Sequence, residues 1–102
     1  MNITEVRIRL KEEDKLKAFV NITMDDAIAV RGLKVIDGEK GLFVSMPSRR
    51  RKDGKYEDIF HPINNETRQM MERVILEKYE EVVNSGEYSD SDYDDVGEEA
   101  VG

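Results

Sequence analysis

Five cations crowd one short stretch of the chain. Arg49, Arg50, Arg51 and Lys52 run consecutively, and Lys55 follows a tight-turn signal at Asp53-Gly54. Asp53 offsets one of the five charges, leaving a formal +4 across residues 49–55. Four adjacent like charges repel one another, and a folded core has no use for them. A guanidinium presents a planar fork that matches two phosphate oxygens at once. The chemistry on offer is therefore phosphate binding, with nucleic acid as the natural polyanion. The same residues also fit a solvated loop that keeps the protein soluble. His61, the single histidine, sits between Phe60 and Pro62 with only Asp58 close in sequence. It suits capping or packing better than a general base or a metal ligand. No Ser-His-Asp pattern or metal-ligand spacing is present. Gly38 and Gly41 lack the lysine and helix that a nucleotide loop needs. The chain contains no cysteine, which excludes a disulfide frame, a thiolate nucleophile and a thiolate metal site. The reading is a non-enzymatic binding protein without cofactor, metal or small-molecule substrate.

The elements that must position this stretch are mostly strands. Ile3 to Leu10 alternates, with Val6, Ile8 and Leu10 on one face and Glu5, Arg7 and Arg9 on the other. Leu16 to Met24 alternates again, which predicts an antiparallel strand with one wet face. Ala27 to Ile36 slips phase: Ile28 and Val30 share a face, and Leu33 and Val35 resume it one residue late. A bulge at Arg31-Gly32 restores the register, and glycine suits it. Gly41 to Met46, ended by Pro47, predicts strand four. Tyr56 to His61, ended by Pro62, predicts strand five, so the cations ride the connecting hairpin. Asn64 or Asn65 then offers a helix cap with Ile63 as a hydrophobic staple, and Met71, Val74, Ile75, Lys78-Tyr79, Val82 and Val83 form a helical stripe. The predicted fold is α+β: a five-stranded antiparallel meander with one C-terminal helix.

Charge divides the chain into a domain, residues 1–84, and a tail, residues 85–102. Sixteen Lys and Arg meet sixteen Asp and Glu before residue 85, so the domain is formally neutral. The whole net charge of −7 comes from Glu87, Asp90, Asp92, Asp94, Asp95, Glu98 and Glu99. That tail is too acidic and too poor in large aliphatics to fold alone, so a disordered tail is expected. Tethered beside a basic hairpin, it is expected to compete with phosphate, with Tyr88 and Tyr93 as potential anchors. No apolar run is long enough to span a membrane, and no secretory signal opens the sequence, so a cytoplasmic location is expected. A domain this small gains from a second copy, so association is expected as well.

Taken together, TEVRIR, KAFVNITMDD, LKVIDGEKGLFVSMPSRR and DGKYEDIFHPIN, followed by the helix, resemble the SpoVG family, stage V sporulation protein G. The resemblance runs from near the N-terminus through the helix and leaves the tail uncovered. It implies a small homodimer with a twisted antiparallel sheet and a C-terminal helix. It implies a regulator that binds DNA, and in some members RNA, linked to septation, cell division and developmental gene control. The family's basic pair after MPS falls on Arg49 and Arg50. Where the family commonly carries an uncharged pair, often Thr-Pro, this chain carries Arg51-Lys52. The competing reading is a protein-interaction module whose hairpin docks an acidic partner.

Overall fold

The computed structural model describes residues 2–85. The acidic tail after Ser85, and the expectations that fall on it, lie outside the described residues. Strands β1 (Ile3–Leu10), β2 (Leu16–Met24), β3 (Ile28–Gly38) and β4 (Gly41–Ser45) form an antiparallel sheet in sequence order. β5 (Ser48–Arg50) and β6 (Tyr56–Asp58) form a separate two-stranded ribbon, and α1 (Asn65–Ser85) follows. The α+β class therefore stands, with one change to the expected meander. Tyr56 to His61 does not join the main sheet as a fifth strand. Only Tyr56–Asp58 is a strand, and it pairs with Ser48–Arg50, which had been read as part of the loop. The cause is Pro47: it has no N–H to give the ladder, so the main sheet stops at Ser45. Its carbonyl then accepts the Ile59 N–H at 2.9 Å and holds the base of the ribbon.

The phase slip in β3 is a bulge. Val20 faces Leu33 while Ile22 faces Val30, so one residue of β2 lies between the pairs opposite two of β3. The extra residue falls at Arg31-Gly32, and Gly32 takes φ +90°, a left-handed conformation costly for any side chain. The turn between β2 and β3 uses Asp25 and Asp26, both left-handed at φ 51° and 52°, a geometry that aspartate tolerates. Asp25 Oδ1 accepts the Asn2 N–H and Thr4 Oγ1 accepts the Asp26 N–H, so this turn also anchors the start of β1.

The core lies between one sheet face and the helix. Ile8, Ala18, Val20, Ile22, Leu33, Val35 and Val44 project from the sheet to meet Met71 and Ile75 of α1, all of them buried. Each large side chain removed from water there contributes roughly 1.5–3 kcal/mol. Asn64 caps the helix, its Oδ1 accepting the Thr67 N–H at 2.8 Å. The expected staple is absent, since Ile63 stays 89 % exposed. Glu72, on the helix, reaches the outer edge of β4, where its Oε2 accepts the Val44 N–H at 3.4 Å.

The second face of β2 is not wet. Phe19 and Asn21 are buried on it, although among the described residues no helix covers that side. Phe19 is flanked by Arg9 of β1 and Lys34 of β3, and the Lys11 ammonium lies 5.6 Å from its ring centroid. Long cationic side chains hide apolar area along their stems while their heads stay in water.

Two outcomes test this account. Gly32→Ala should destabilise the fold by more than about 1 kcal/mol in denaturant melts, because alanine must adopt the positive φ. Partial burial, reinforced by the charge of Asp37, raises the Tyr79 hydroxyl above its ordinary value. Folding thus retains a proton that the unfolded chain releases, and stability should fall as pH rises through the ordinary tyrosine range. Tyr79→Phe should remove that component of the alkaline loss in paired melts.

Candidate nucleic-acid interface

Three backbone-directed bonds shape the tip of the β5–β6 ribbon. Arg51 N–H donates to Lys55 O at 2.7 Å, Gly54 N–H to Arg51 O at 3.0 Å, and Lys55 N–H to Asp53 Oδ1 at 3.0 Å. Gly54 takes φ +87°, so the Asp-Gly turn signal is used as such. All five sequence-predicted cations come together here. Arg49 and Arg50 stand on β5, Arg51 and Lys52 on the turn, and Lys55 on its return, every one exposed.

The ribbon sorts them by face. Arg49 is opposite Glu57, and both its Nε and its Nη2 lie 3.2 Å from Glu57 Oε1. Arg51 Nη2 lies 3.6 Å from Asp53 Oδ2. The Arg49 and Glu57 side chains are 71 % and 42 % exposed, and such surface pairs contribute only about 0–1 kcal/mol each. Pairs this weak leave both guanidinium groups open to exchange with another anion. Among the described residues, Arg50, Lys52 and Lys55 have no carboxylate within ion-pair distance. The sequence reading missed Glu57, which compensates Arg49 from the returning strand. Counting outward from a two-residue Asp53-Gly54 turn sets Glu57 opposite Arg50 instead; the loop holds three residues, Lys52 to Gly54, and this shifts the partner to Arg49.

It also missed Tyr56. Arg50 and Tyr56 are cross-strand partners, and Tyr56 is 71 % exposed. An exposed aromatic ring beside a guanidinium offers a base-stacking platform next to a phosphate ligand. Arg49, Arg50, Arg51 and Lys52 line a shallow concavity with Asp53 and Glu57. The site is thus an arm with charge at its tip and one ring on its flank.

His61 stands apart from this arrangement. Its Nδ1 lies 3.1 Å from Pro62 O, and its ring borders an apolar cleft formed with Met24, Phe60, Ile63 and Met70. Among the described residues no three His, Asp or Glu side chains converge to hold a metal ion. None of the described helices is long and apolar enough to cross a membrane.

The comparisons with known proteins agree with the motifs. A relative from Myxococcus xanthus (strain DK1622), named "Putative septation protein SpoVG", is 60 % identical over 80 residues, 78 % of this chain and 81 % of the relative. One of the same name from Anaeromyxobacter sp. (strain Fw109-5) is 56 % identical over 86 residues, 84 % of this chain and 89 % of its own. Another, from Caldicellulosiruptor bescii, is 47 % identical over 88 residues, which make up 100 % of that relative and 85 % of this chain. The family model for SpoVG matches residues 1–81, from the first strand to the last turns of the helix, and the chain belongs to the SpoVG family.

Proposed function

We propose that the protein is a regulatory nucleic-acid-binding protein that grips phosphates of DNA or RNA through the β5–β6 ribbon and performs no catalysis. One observation carries this reading: five exposed cations at the tip of a two-stranded arm, three of them without a carboxylate partner among the described residues. The names of its relatives support a place in septation. The family resemblance supports a link to cell division and developmental gene control in the cytoplasm. Arg49 and Arg50 sit on regular backbone, and Arg51, Lys52 and Lys55 extend the charge around the turn.

The proposal includes a homodimer. One ribbon contacts few phosphates, and a second in the same particle multiplies affinity through effective concentration. Ile59 and Ile63 are 62 % and 89 % exposed beside the cleft of Phe60 and Met70, an apolar surface that a second copy would bury.

If three to four cations each neutralise a phosphate, the logarithm of affinity should fall with that of salt with a slope of about −3 per protomer on duplex DNA. Changing Arg49 and Arg50 together to Ala should reduce that slope by about 2 and leave the circular dichroism spectrum unchanged. Unaltered affinity in a gel shift at fixed salt removes the site. Failure to bind DNA and RNA even at low salt favours the ribbon as a dock for an acidic protein instead. The Arg49–Glu57 pair gives an independent check. Glu57→Gln releases Arg49 and should tighten binding by up to about 1 kcal/mol in the same titration.

A further inference from the structure

β1 is an edge strand, and a groove runs along its outer side. Ile3 to Arg7 form one wall of that groove, and Val74, Glu77 and Lys78 of α1 stand on the other. The hydrogen-bond phase of β1 decides which groups point into it. Lys11 N–H donates to Lys17 O at 2.9 Å, and Arg9 with Phe19, Arg7 with Asn21 and Glu5 with Thr23 follow in the same register at steps of two. Bonded and non-bonded residues alternate along an antiparallel pair. Glu5, Arg7 and Arg9 therefore turn their main-chain groups toward β2. Val6, Ile8 and Leu10 turn theirs outward, where among the described residues no strand pairs with them. Such a row of N–H and C=O groups is a template for one more strand. The opposite edge differs, since Glu72 already takes the Val44 N–H of β4.

The charges of β1 fit a second copy of itself in one register. Outward residues must meet outward residues, so an antiparallel copy shifts in steps of two. Val6 opposite Ile8 sets Arg7 against Arg7 of the other copy. Val6 opposite Leu10 sets Arg7 against Arg9, and Val6 opposite Thr4 sets Glu5 against Glu5. Like charges directly opposite one another are unfavourable. Val6 opposite Val6 sets Glu5 against Arg7 and, by symmetry, Arg7 against Glu5. Within one copy Arg7 Nε already lies 3.2 Å from Glu5 Oε2. That pair stays intact, and two such pairs side by side make a four-charge cluster of alternating sign. The groove also borders the apolar cleft of Ile63. Met70 of the cleft and Val74 of the groove are one helical turn apart, and Met24 of the cleft is the register partner of Ile3.

We propose that two copies of this chain join edge to edge through β1, antiparallel about a two-fold axis at Val6, so that their two four-stranded sheets become one. The Val6 side chains meet on the axis in the groove beside Val74, and the cluster of Glu5 and Arg7 fixes the register. This rests on the homodimer proposed above and names its central contact, with the surface of Ile63 at its margin.

Charge reversal in the full chain, read by analytical ultracentrifugation, tests the register. The unaltered chain should sediment at twice the chain mass. Arg7→Glu and Glu5→Arg, made separately, each place like charges opposite one another twice and should raise the dimer dissociation constant about ten-fold. The two changes combined should restore it. The absence of cysteine gives a second measurement that does not depend on those variants folding. Val6→Cys should link to itself rapidly under mild oxidation, since residues opposite one another in a bonded pair lie about 5.5 Å apart at Cα, within disulfide range. Arg7→Cys, offset from its own copy, should link slowly. A monomer in the centrifuge removes the homodimer and this contact together. A dimer in which the double change does not restore affinity, or in which Ile63→Cys links and Val6→Cys does not, removes the β1 contact alone.

Discussion

The inserted residue at Arg31-Gly32 governs which side of the sheet everything after it faces. Side chains alternate along a strand, so a shift of one residue exchanges the two faces. Without the insertion, Leu33 and Val35 would point away from the helix and Lys34 would point into the core. With it, Val44 of β4 lies opposite Val35 and beneath the helix, while Lys34 reaches the row of Arg9 and Phe19. The bulge also fixes the exit from the sheet. A Cβ on Gly32 would lie 3.5 Å from Pro47 Cβ, so the proline that terminates β4 sits against the distorted turn of β3. The direction in which the ribbon leaves is thereby coupled to a backbone feature one strand away.

Much of this was legible in the residues, and the gaps have physical causes. The bulge was visible because one apolar period breaks beside a glycine. The helix cap, the helical stripe and the Asp-Gly turn follow from local chemistry that tertiary structure did not override. The ribbon's separation from the main sheet was not legible. Strand alternation in Tyr56 to Asp58 is the same whether the partner is β4 or Ser48–Arg50, and a three-residue strand of Ser and Arg carries no apolar signal. Phe19 falls by alternation with Lys17, Asn21 and Thr23 on the face expected to be wet. Its neighbours Arg9 and Lys34 come from two other strands, a relation created only by pairing. For the same reason the run of five cations was legible, while the pairing of Arg49 with Glu57 and the place of the Tyr56 ring beside Arg50 were not.

Charge segregation is the electrostatic theme. A formally neutral domain keeps strongly cationic surfaces because its carboxylates are concentrated elsewhere. The helix carries Glu66, Glu72, Glu77, Glu80 and Glu81. Net charge therefore says little about what the surface attracts. Local potential decides, and it falls off within about 10 Å at 0.1 M salt.

The contact between Glu72 and the Val44 N–H has a consequence beyond holding the helix in place. β4 is the last strand of an open sheet, and exposed N–H and C=O groups there invite another chain to extend it. A carboxylate from the helix occupies one of those donors and sets a negative charge beside the rest. An incoming strand must displace it and leave that charge near its own carbonyl oxygens. The helix thus guards this edge of the sheet against extension by another strand.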